Sequence, residues 1–169
     1  MTDAITAERA APEPLLSAGA VYDDADGGAI ASARAFTTDF LAAASAVRPA
    51  PLTDERVDLA KLVVSELVTN AVRHAPGPCR LVLELREDTL EISVIDRAAA
   101  APVPRGHDPR RIGQHGVEIV VAVCESVTVE PHPTGKRVRA CLSLLPGAAG
   151  RGTGKSGARR QTSAPEAPA

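Results

Sequence analysis

The chain has 169 residues, a formal net charge of −2, 44% hydrophobic residues and 2% aromatic ones. That length suits one domain with tails, and the nearly balanced charge gives no global pull toward nucleic acid or an anionic membrane. With no Trp, one Tyr and two Phe, the core has to be built from Leu, Val, Ile and Ala. No apolar stretch approaches the ~20 residues needed to span a bilayer. No basic segment followed by an apolar one opens the chain, so a cytoplasmic setting is expected. The three cysteines, Cys79, Cys124 and Cys141, are odd in number and far apart. They form no C-x-x-C pair, which argues against zinc and a disulfide framework. Each reads as a small buried residue in a reducing compartment.

Residues 1–18, rich in Ala, Pro, Thr and Glu, read as a disordered tail. The pattern Ile30, Arg34, Phe36, Phe40, Leu41, Ala44, Val47 predicts a helix over 28–47. Arg48-Pro49-Ala50-Pro51 ends it, because proline blocks continuation. Thr53, Asp54, Glu55 and Arg56 read as a capped helix start with acidic first-turn residues. That second helix runs over 53–75 and stops before Pro76-Gly77-Pro78. Alternation of Leu81, Leu83 and Leu85 with polar residues predicts a strand over 79–86, and Leu90, Ile92 and Val94 predict another over 90–96. The Glu87-Asp88 turn joins them as a hairpin. Residues 97–115 lack periodicity and are long for a connection, which fits a functional lid. A short helix over 115–124 and strands over 126–131 and 136–145 complete the folded part, residues 19–146.

Residues 147–169 form a second disordered tail with almost no large apolar side chain. Gly152-x-Gly154-x-x-Gly157 matches a dinucleotide fingerprint and Gly154-Lys155-Ser156 imitates the end of a phosphate loop. Ala149 stands where that loop needs its first glycine, and neither string opens a periodic helix. Lys155, Arg159 and Arg160 therefore read as a solvated basic tail.

The most informative run is Glu66-Leu67-Val68-Thr69-Asn70-Ala71-Val72-Arg73-His74. It sets a carboxylate, a carboxamide and an imidazole at i, i+4 and i+8, on one helix face. They interrupt the apolar stripe Leu59, Leu62, Val63, Leu67. Burying a carboxylate costs several kcal/mol unless it is compensated, so polar groups in line on an inward face point to a site. The plainer alternative is a polar helix edge with an internal hydrogen bond.

The order of elements, with Leu62 to Ala75 as an N-box and Gly113-x-x-Gly116-Val117-x-Ile119-Val120 as a lid boundary, resembles the GHKL ATP-binding superfamily of gyrase, heat-shock chaperone, histidine kinase and MutL ATPase domains. Within it, the chain is most similar to the anti-sigma factor serine kinases and their short actinobacterial relatives. The likeness covers about residues 20–145. It implies an α+β fold: a two-layer α/β sandwich whose mixed, mostly antiparallel sheet has helices on one face. It implies ATP and Mg²⁺ as cofactors, with Asn70 as the Mg²⁺ ligand and Glu66 orienting or deprotonating the attacking hydroxyl. One helix oxygen is enough, since Mg²⁺ keeps waters and takes the rest from phosphates. A general base has to reach its proton within hydrogen-bond distance or through one water, and the one-turn offset puts Glu66 beside the metal.

By the same resemblance Asp96 accepts a hydrogen bond from the adenine amino group; the plainer reading is an Asp that caps its own loop. Gly113, Gly116 and Val117 belong to the lid that closes on the polyphosphate at a helix N-terminus. Arg73 and His74 are candidates for phosphate contact, with a helix-end cap as the plainer role of His74. Arg105, Arg110 and Arg111 lie in the lid and read as solvated. Two departures from the family pattern stand out. Asp96-Arg97-Ala98 lacks the glycine two residues on, and Arg137 follows Gly135-Lys136 where a hydroxyl is expected near adenine.

The first expected function is a protein serine/threonine kinase and anti-sigma-type switch. It would phosphorylate an antagonist protein and hold a sigma factor when not engaged with that antagonist, and a homodimer is expected from relatives. The second is a non-catalytic, nucleotide-dependent binding module. A histidine kinase fragment fits less well, because residues 1–27 are too short for a dimerisation helix pair. A DNA-binding regulator lacks a basic helix.

Overall fold

The computed structural model describes residues 13–23, 27–99 and 115–147. Gly113 and the lid arginines Arg105, Arg110 and Arg111, like both tail segments outside these bounds, lie beyond the described residues.

The elements run β1 (Leu16–Tyr22), α1 (Ala29–Val47), α2 (Asp54–His74), β2 (Cys79–Arg86), β3 (Thr89–Asp96), α3 (His115–Val123), β4 (Ser126–His132) and β5 (Gly135–Ser143). The strands form one five-stranded sheet in the order β1-β2-β3-β5-β4. Every ladder is antiparallel. The fold is thus the expected α+β sandwich, but the sheet is antiparallel throughout rather than mixed. The connections explain this. A helix pair carries the chain from β1 back to its neighbour β2, and tight turns join β2 to β3 and β4 to β5, so each strand returns against its partner.

β1 is the element absent from the sequence reading. It begins at Leu16, inside the segment assigned to the N-terminal tail. Its inward residues are Leu16, Ala18 and Ala20, with Gly19 between them. Alanine and glycine have little strand preference of their own, and the strand exists by pairing with Cys79–Leu85 of β2.

The inward side of the sheet is made by Leu81, Leu83, Leu85, Leu90, Ile92, Val94, Ala140 and Leu142, all buried. Each alternates with a residue on the opposite side, as the two-residue period of a strand requires. Helix α1 buries Ala29, Ala33, Thr37, Phe40, Leu41 and Ala44. The buried stripe is therefore shifted from the expected one: Arg34 is exposed, and Val47 is 51% exposed. Small residues take those places because α1 packs closely on α2 and on β1, and Thr37 returns its hydroxyl to the Ala33 carbonyl at 2.7 Å. Helix α2 starts as predicted, with the Thr53 side chain accepting from the Arg56 N–H. It buries Ala60, Val63, Val64, Leu67, Val68 and Ala71. Among the described residues no helix is long and apolar enough to cross a membrane.

Candidate nucleotide site

The polar residues of α2 lie on the flank of its buried stripe rather than in its centre. Glu66 and Asn70 are half-buried, and Arg73 and His74, in the last turn, are exposed. The expectation of three polar groups on an inward face therefore holds for two of them. His74 makes no side-chain hydrogen bond among the described residues, so the helix-end cap expected of it is absent there. Ala75 closes the helix instead, its N–H donating to the Ala71 carbonyl at 2.9 Å. Arg73 and His74, exposed in the last turn, keep their polar groups in water at little cost, and only Glu66 and Asn70 sit partly inside.

Glu66 faces the first turn of α3. A Cβ placed on Gly116 would fall on the Glu66 carboxylate, so the absence of a side chain at that position is what leaves the carboxylate its place against α3. The carboxylate thus sits at the amino end of a helix, where unpaired N–H groups and the helix dipole favour negative charge. Val117, the next residue, is 43% exposed.

Asp96 ends β3 and is 3% exposed. Its Oδ1 accepts from the Ala98 N–H at 2.9 Å and from Lys136 Nζ at 3.0 Å. The first bond is the loop-capping role that a sequence reading allows for any Asp at a strand end. The second joins neighbouring strands, since Asp96 and Lys136 are partners in the β3–β5 ladder. Lys136 was missed as a site residue, and the ladder register was the signal that would have found it. Gly135 completes this corner. A Cβ on it would meet the Asp96 carbonyl and lie 2.7 Å from Arg97 Cα. The strand entry thus comes within backbone contact of the residue expected to select the base.

Of the three cysteines expected to be buried, Cys141 is only partly so, because it alternates with the inward Ala140 and Leu142 and lies on the other side of the sheet. Cys79 and Cys124 are buried and free. Burial pushes the Cys79 thiol up, the nearby Asp96 adding to it. Burial pushes the Cys124 thiol up to about 12.

The arrangement suits a magnesium nucleotide in two respects. Asn70 makes no side-chain hydrogen bond among the described residues, which leaves its carboxamide oxygen available as a ligand. Among the described residues only one carboxylate oxygen of Asp96 has a partner, which leaves the other for a donor on a base. No three His, Cys, Asp or Glu side chains among the described residues converge on a metal-sized site. A Mg²⁺ ion held largely by phosphates and waters needs no such cluster. Asn70 would carry the metal at the phosphate end with Glu66 beside it, and Asp96 with the β5 entry would take the base end.

A search of curated proteins gives no match. The family model described as the histidine kinase-like ATPase domain matches residues 25–142, from the segment before α1 to the end of β5, and takes in Glu66, Asn70, Asp96, Gly116 and Lys136. Since the match spans most of the chain and every part of the site just described, the chain belongs to the histidine kinase-like ATPase domain family, and that membership implies that it binds ATP.

Proposed function

We propose that this domain is an ATP- and Mg²⁺-dependent serine/threonine kinase of the anti-sigma type. In this reading it phosphorylates an antagonist protein and holds a sigma factor when that antagonist is not engaged. The observation that carries the reading is the placement of Glu66, one helical turn before an Asn70 without a side-chain hydrogen bond among the described residues and against Gly116 in the first turn of α3. ATP supplies the phosphoryl group and Mg²⁺ offsets its polyphosphate charge. The rest would fall to side chains: Asn70 would ligate the metal, Glu66 would orient the attacking hydroxyl and take its proton, and Asp96 would accept from the adenine amino group. Phosphoryl transfer asks mainly for positioning and charge compensation, which such a set supplies. In this reading the chain works as a homodimer in the cytoplasm.

The Asp96–Lys136 pair favours a second reading, a non-catalytic module in which ATP only stabilises a partner-binding form. A lysine on the base-selecting carboxylate weakens its preference for an adenine amino donor, and ligand-linked stability needs no chemistry.

The test is calorimetric titration with ATP, with and without Mg²⁺, followed by phosphoryl transfer from labelled ATP to candidate antagonist proteins. Asn70→Ala should abolish the Mg²⁺-dependent part of binding. Glu66→Gln should leave binding within about threefold and lower transfer by about 10²-fold or more, the usual worth of a general base. Unchanged partner capture by Glu66→Gln without any transfer in the wild type would support the non-catalytic module instead. No ATP binding by the folded wild type would reject both.

A further inference from the structure

The side of the sheet away from the helices carries a groove that meets the proposed nucleotide site at Asp96 and extends away from it. One part of it, about 420 Å³, has Val21, Val82 and Ile95 in its lining and Arg80, Arg97 and Arg137 around them. None of these three guanidinium groups makes an ion pair among the described residues. Two are laid over glycine backbone. Arg80 passes 3.7 Å from where a Cβ of Gly19 would be, and Arg97 passes 3.5 Å from that of Gly77. The Nε of Arg137 is shielded from solvent and has no hydrogen-bond partner. Asp96, which borders the groove, is committed to Lys136 and the Ala98 N–H. Three positive groups thus gather around an apolar floor on a chain whose formal net charge is −2.

A second depression, about 440 Å³, shares Val82 and Arg137 with the first and continues along the sheet past Ser93. There the charges compensate one another. Glu91 pairs with Arg139 at 3.2 Å and with Arg86 at 3.6 Å, and Arg139 also reaches Glu130 at 3.6 Å. The groove is therefore longer than a small anion needs and basic at one end only. A nucleic acid would meet a neutralised half with no phosphate contacts to offer. An extended polypeptide matches both parts: carboxylates for the paired-donor geometry of arginine, and apolar side chains for the floor.

We propose that this open sheet face docks an extended acidic segment of a partner protein, its carboxylates held by Arg80, Arg97 and Arg137 and an adjacent apolar side chain resting on Val82 and Ile95. The proposal is independent of the kinase reading, since these residues lie on the other side of the sheet from Glu66 and Asn70.

The experiment pans a random peptide display library on the full chain, then measures the selected peptides on the wild type, on Arg137→Glu and on Arg80→Glu. Arg80 is exposed, so the second variant keeps the test valid if charge reversal beside Glu130 disturbs the sheet. The expected result is enrichment of Asp or Glu beside an apolar residue. Affinity should fall about tenfold in either variant and weaken as salt rises from about 50 to about 300 mM, while Arg80→Glu leaves ATP binding unchanged. Recovery of no peptide, of peptides without acidic enrichment, or of peptides that bind both variants as well as the wild type would overturn the proposal. So would sedimentation showing a wild-type dimer that Arg137→Glu or Arg80→Glu dissociates, because the face would then be covered by a second copy.

Discussion

Two glycines of the site look alike in sequence and differ in what they are there for. At Gly116 the atom in the way of a Cβ is the end of the Glu66 side chain, which can swing aside. At Gly135, with φ +151°, the atoms in the way are the backbone of Asp96 and Arg97, which cannot. Gly116→Ala should therefore leave stability unchanged or slightly raised, because alanine in a helix is favoured over glycine by about 0.8–1 kcal/mol. It should displace the Glu66 carboxylate and lower phosphoryl transfer. Gly135→Ala should cost about 1–3 kcal/mol, from strain at a conformation L-residues avoid and from the forced movement of the β3 end. Thermal melts of the two variants, set beside ATP titrations, separate the cases. Equal losses of stability would mean that Gly116 is a packing glycine like Gly135 and that Glu66 has no special place against α3.

At the scale of elements, the joint between α1 and the β2–β3 hairpin holds the two layers in register. Arg48, just past α1, has a side chain 1% exposed and bonds Asp88 of the hairpin turn at 2.8 Å, while Asp88 is 46% exposed. The Nε and Nη1 of Arg48 are buried without partners, so among the described residues Asp88 alone compensates a charge deep in the joint. The same residue's carbonyl accepts from the Leu144 N–H at 2.7 Å and so anchors the chain after β5. Asp88→Ala keeps that backbone bond and strands the guanidinium, which should cost about 1–3 kcal/mol in the denaturation midpoint. Arg48→Met removes the charge with its penalty and should cost less than Asp88→Ala. The opposite ranking would show that the pair contributes by attraction rather than by relieving a buried charge.

For the whole molecule, the sequence patterns that survive folding are those fixed by local chemistry. The Thr53 cap, the leucine alternation of β2 and the Glu87-Asp88 turn lie where their residues demanded. What the sequence left unread depends on partners distant along the chain. β1 has no apolar alternation strong enough to stand apart from β2, and Lys136 meets Asp96 only through the ladder register of two strands 40 residues apart. Glu66 and Asn70 were legible because one helix turn carries both; their contact with α3 was not. The cysteines tie these scales together in one measurable property. Cys124 is 2% exposed, and burial raises its thiol from 9.0 to about 12; Cys79 and Tyr22 are displaced in the same direction. Below the unfolded-state value both states keep the proton and the group contributes no pH dependence. Between about pH 9 and 12 the unfolded chain releases it while the folded chain does not, so stability falls as pH rises, by about 1.4 kcal/mol per unit from Cys124. Cys124→Ala removes that slope at the cost of a small cavity. Urea midpoints taken from about pH 7.5 to about pH 10.5 should therefore show the wild type ahead at the neutral end and the gap closing above pH 9. Parallel curves would mean that the thiol ionises in the fold as readily as in the open chain, and that the core around α3 and β5 admits water.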